Sequence, residues 1–100
     1  EIVAKLKRTG ATLIWCSTTP IPQGKLNPPR QPGDEVTYNQ IAQKVMTENG
    51  VVINDLHAAA LSQQPGIQLP ANVHFTKEGS AVLAKHVAAS IKAVLPDRGR

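Results

Sequence analysis

Three histidines, one cysteine and a short run of hydroxyl side chains are the residues with reactive chemistry in this sequence. His74 stands apart because of its surroundings. It lies in Val73-His74-Phe75-Thr76-Lys77-Glu78-Gly79, which is entered through the turn-forming run Leu69-Pro70-Ala71-Asn72 and leads into Ser80-Ala81-Val82-Leu83-Ala84. A histidine on a loop just ahead of a helix can hold its ring free in a cleft, whereas one in mid-helix packs against neighbours. Histidine titrates near neutral pH and is the usual general base for a hydroxyl nucleophile, so this placement suggests one half of a catalytic site.

Ser17, Thr18 and Thr19 follow an apolar run and fall where a strand ends, the place at which open α/β sheets bind ligands. They are candidates for shaping a substrate cleft. Arg30, in the loop beyond, is placed either to hold an anionic substrate group or simply to be solvated. Asp55 ends a second apolar run and has two equal readings, supporting the site or capping a helix. Cys16 is expected to face the core, although a Cys16–His74 nucleophile pair is the alternative. His57 and His86 fall on expected helices, and with His74 they show no metal-ligand spacing. No metal and no cofactor is expected.

These residues need a frame to position them. Ile2, Val3 and Leu6 form a helical stripe closed by Gly10, read as the end of a helix whose beginning is missing. Ala11 to Ser17 is a nearly continuous apolar run, suited to a strand buried on both faces. Thr18 to Gly33 is a long loop stiffened by Pro20, Pro22, Pro28, Pro29 and Pro32, and a loop of this length in a compact domain is more often functional than idle. Asp34 or Thr37 is expected to cap the next helix, with Thr37 and Gln40 at capping-box spacing. Tyr38, Ile41, Ala42, Val45 and Met46 mark its apolar face, and Asn49-Gly50 its stop. A second strand follows at Val51–Asn54, then a short helix near Leu56 to Ser62, a turn at Gln64-Pro65-Gly66, and a last helix from Thr76 to Leu95. The order helix, strand, helix, strand, helix predicts a βαβ unit with a parallel pair of strands.

Two parallel strands leave open edges and cannot cover their own apolar faces. The sheet is therefore expected to continue in other sequence or in another copy of the chain. The composition of 41% hydrophobic and 18% charged residues suits an ordinary folded chain. Its formal charge of +4 is concentrated near the ends, at Lys5, Lys7, Arg8, Arg98 and Arg100, without interleaved aromatics, which argues against a nucleic-acid partner. No apolar stretch approaches the length of a membrane span, so no membrane partner is expected. A lone cysteine excludes an internal disulfide and leaves the compartment unread.

Taken together, the run Thr12 to Pro22, the helix Tyr38-Asn39-Gln40-Ile41-Ala42, the strand Val51–Leu56 and the stretch Asn72 to Gly79 resemble the C-terminal part of the SGNH (GDSL-like) hydrolases. The resemblance implies one domain over residues 1–100, part of a flavodoxin-like three-layer α/β/α sandwich. It also implies a serine esterase mechanism in which His74 activates a serine. The serine, glycine and asparagine blocks of that family have no counterpart in this chain and are expected upstream of Glu1. The family usually carries an aspartate three residues before the histidine. That position is Ala71, leaving Asn72 as the nearest polar support. The implied substrate is a small ester or acylated carbohydrate, and the chain alone is expected to be inactive. The rival expectation is a non-catalytic α/β module that completes its sheet by self-association.

Overall fold

The computed structural model describes residues 1–26, 29–64 and 66–96; Pro28, Pro65, Arg98 and Arg100, invoked above, lie outside the described residues. Six elements follow in order: α1 (Ile2–Lys7), β1 (Ile14–Cys16), α2 (Asp34–Glu48), β2 (Val52–Asn54), α3 (Leu56–Leu61) and α4 (Lys77–Val94). β1 and β2 pair in parallel, with Ile14 opposite Val52, Trp15 opposite Ile53 and Cys16 opposite Asn54. The chain is thus a small α/β unit built on a parallel strand pair. The strands stop at three residues each because the flanking backbone leaves the ladder, Ser17 N–H giving its last bond to the Asn54 carbonyl at 3.1 Å.

Helix α4 lies against both strands and also contacts α3, while α2 packs on β2. Because side chains alternate along a strand, Ile14 and Cys16 share one face. With Asn54, Val87 and Ile91 they line a groove of about 280 Å³ beside α4. Cys16 is exposed there, which corrects the expectation that it faces the core. An apolar strand run buries its alternate residues only when both neighbours and both faces are covered, and β1 has one paired edge.

The face of α2 needs a second correction. Tyr38, Ile41 and Val45, expected to pack inward, are exposed at 72%, 61% and 41%. The side turned to the protein runs through Glu35, Asn39, Ala42, Met46 and Asn49. The helix is therefore rotated about one position from its apolar stripe, because Glu35 and Asn39 are held by hydrogen bonds to the proline-rich loop. Nor does Thr37 cap this helix. It begins at Asp34 behind Gly33, whose φ of 96° is one that glycine adopts without strain, and no side chain caps it.

The core is small. Val3, Leu26, Val51, Ala60 and Ile67 are the buried apolar residues, and no large side chain is fully enclosed among the described residues. The radius of gyration is 15.5 Å, against about 13 Å for a compact domain of this length.

Candidate functional site

The His74 loop is pinned from both sides by backbone. Gln68 and Phe75 form an antiparallel bridge, and Leu69 N–H donates to the His74 carbonyl at 3.1 Å. Behind them Thr76 caps α4: its hydroxyl accepts from Gly79 N–H at 2.9 Å. That hydroxyl donates to the Ile67 carbonyl at 3.2 Å, and Thr76 N–H donates to the same oxygen at 2.9 Å. Gly79 is buried because the Ile67 backbone lies where a side chain would stand. Ahead of the histidine, Ala71 takes a left-handed φ of 48°, and Asn72 Oδ1 accepts from His74 N–H at 2.9 Å. The result is a held main chain with an exposed side chain. Among the described residues no hydrogen bond reaches the imidazole. Asn72 braces the backbone of His74, not its ring.

The strand-end residues divide into two groups. Ser17 is 5% exposed, and its hydroxyl donates to Asp55 Oδ1 at 2.8 Å while accepting from His57 N–H at 2.9 Å. Asp55 accepts as well from Ala58 N–H at 3.1 Å, so it caps α3. These two residues lock the end of β1 to the start of α3, and a serine so enclosed is a brace, not an accessible nucleophile. Thr18 belongs to the second group. Its N–H donates to Asn39 Oδ1 and its carbonyl accepts from Asn39 Nδ2, both at 2.9 Å. This two-point clamp holds Thr18 at the edge of a cleft that Arg30 also lines, whereas Thr19 is half-buried outside that lining.

Two residues that sequence reasoning missed connect these parts. Glu35 is 6% exposed, and its Oε1 accepts from Ile21 N–H at 3.3 Å and Gly33 N–H at 3.4 Å, near the two ends of the proline-rich loop. His57 Nε2 stands 3.8 Å from the same oxygen, while Oε2 is buried with no partner among the described residues. Gln68, 4% exposed, donates from Nε2 to the Pro20 carbonyl at 2.8 Å and to the Val73 carbonyl at 3.3 Å, and its Oε1 accepts from Gln64. It ties the proline-rich loop to the histidine loop. The available signal was a polar pair, Glu35 and Asn39, one turn apart and in register with Ala42 and Met46. That pattern is easily set aside in favour of the stronger apolar stripe beside it.

Of the predicted residues, the structure joins Ser17 to Asp55, Thr18 to the cleft of Arg30, and His74 to Asn72. Among the described residues it shows no hydrogen bond between His74 and any of the others. Among the described residues no group of three or more His, Cys, Asp or Glu side chains could hold a metal ion, and no helix is long and apolar enough to cross a membrane. No family model and no curated protein matches this chain.

Proposed function

We propose that this chain supplies the general-base histidine of an ester-hydrolysing site, with His74 taking the proton from a serine that lies outside these residues. The observation that carries the reading is the combination at His74 of a main chain fixed by hydrogen bonds with a ring exposed and unengaged. A base must be free to accept a proton and held well enough to stay in line with its hydroxyl. The sheet in this reading is the flavodoxin-like sandwich of the SGNH hydrolases, to which β1 and β2 add the last two strands. The substrate is a small ester or acylated carbohydrate. Asn72 contributes by setting the loop, since it carries no charge to stabilise an imidazolium.

The test is fluorophosphonate labelling of the native protein that carries this chain. A serine outside residues 1–100 should label, and His74→Ala should slow labelling by roughly 10²–10⁴-fold, the scale of a general base's contribution. Labelling unchanged by the substitution would refute the reading.

A second reading rests on its own observation. The exposed residues Tyr38, Ile41 and Val45 on α2, with two strands that have unpaired edges, favour an α/β module that associates with itself. A single defined oligomer without esterase labelling would support it.

A further inference from the structure

Along the outer side of α2, Asp34, Tyr38, Ile41, Val45 and Glu48 follow one another at alternating steps of four and three residues, and all five are exposed. That spacing makes a seam of the kind that packs lengthwise against another helix. The seam is apolar in its middle and charged at its ends, with Lys44 beside it and 4.0 Å from Glu48. Next to its N-terminal end stand Ile21, Pro29, Arg30 and Pro32, which with Tyr38 line an open cleft of about 870 Å³. One end of the seam thus offers a hollow with a guanidinium, and the other offers Val45 and a carboxylate.

We propose that this face binds a second copy of the chain, the two α2 helices running in opposite directions about a two-fold axis between Tyr38 and Ile41. In that register Asp34 lies opposite Lys44 of the second copy and Arg30 opposite its Glu48. Tyr38 meets its Ile41, and its Val45 enters the cleft against Ile21 and the prolines. The axis repeats every contact, as a closed dimer requires. A parallel pairing does worse, since it sets Asp34 against Asp34 and Glu48 against Glu48 and aligns the helix dipoles. A partner of uniform charge would leave one sign unmatched at each end of the seam, where Arg30 stands with Asp34 and Lys44 with Glu48. Exposed ion pairs add little affinity, so the charges select the register while the apolar contacts supply the attraction. The proposal rests on the self-association reading, and it assigns the contact to α2 instead of the strand edges.

Sedimentation equilibrium of the chain over a range of concentrations tests it. The chain should form a dimer and nothing larger. Ile41→Glu should weaken dimerisation by roughly 30-fold or more, the scale of a central interface residue. Ile2→Glu on α1, which replaces a side chain that is 74% exposed, should leave it unchanged. Lys44→Glu places like charges opposite each other twice per dimer and should weaken it several-fold, and adding Asp34→Lys to that variant should restore it. All these positions are exposed, so each variant should keep the circular dichroism of its parent. A dimer that the α2 variants leave intact would overturn the assignment to α2 while the self-association reading stands, and a chain that stays monomeric would overturn both. Failure of Asp34→Lys to rescue Lys44→Glu would overturn the antiparallel register.

Discussion

Replacing Gly79 with alanine puts a methyl carbon where the backbone of Ile67 already stands. The new carbon would lie 2.8 Å from Ile67 Cβ and 2.9 Å from its carbonyl carbon, and closer still to the carbonyl oxygen. None of these atoms is the tip of a flexible side chain, so relief requires the start of α4 and the Ile67 segment to separate. That movement strains the two bonds from Thr76 to the Ile67 carbonyl. Alanine favours a helix over glycine by about 1 kcal/mol. Against this stand an overpacking cost of about 1–3 kcal/mol and the weakening of two hydrogen bonds worth about 1 kcal/mol each. The balance is a net loss of about 1–3 kcal/mol, or a fall in Tm of at least ~4 °C for a domain of this size. Urea unfolding followed by Trp15 fluorescence and far-UV circular dichroism measures it. Ser80→Ala, one position along the same helix and exposed, is the control and should gain a few tenths of a kcal/mol, about the difference in helix propensity. A Gly79→Ala chain as stable as its parent would refute the reasoning, because propensity would then have outweighed contact.

Ser17→Ala removes the bond to Asp55 and leaves the His57 N–H without its acceptor, so unfolding should show a loss of about 1–3 kcal/mol. The exposed Cys16 thiol should react with a disulfide reagent in the folded chain at a rate that denaturant does not greatly increase; a thiol that reacts only on unfolding would contradict its position in the groove beside α4.

The order of elements was readable because it depends on local chemistry. Gly10, Asn49-Gly50 and Pro96 punctuate the chain where elements end, and Thr76 caps α4 as a threonine ahead of Lys77-Glu78-Gly79 should. The parallel pairing followed from two apolar runs separated by a helix. The rotation of α2 was not readable, since hydrophobic periodicity assumes that burial of apolar area decides which face turns inward. Here two polar residues hold the loop, and they set the face. The histidine motif carried a similar ambiguity. Its threonine and glycine have structural work to do at Ile67, so their presence beside His74 is accounted for by helix capping and close packing. Only the freedom of the ring distinguishes a catalytic reading. Ser17 and Asp55 were placed at the right strand ends, but whether a hydroxyl opens to a cleft or turns to a neighbouring carboxylate depends on rotamers that spacing does not encode.

Gln68 has a consequence for how the two loops behave. One amide nitrogen is shared between the carbonyl of Pro20, at the mouth of the proline-rich loop, and that of Val73, in the peptide bond just before His74. A displacement of either loop changes a hydrogen bond at the other. The free energy that separates two positions of the proline-rich loop is therefore felt at the histidine, and by thermodynamic reciprocity a constraint on the histidine biases the loop. Where the imidazole sits is a joint property of two segments that are distant in the chain and linked through the buried Gln68 side chain.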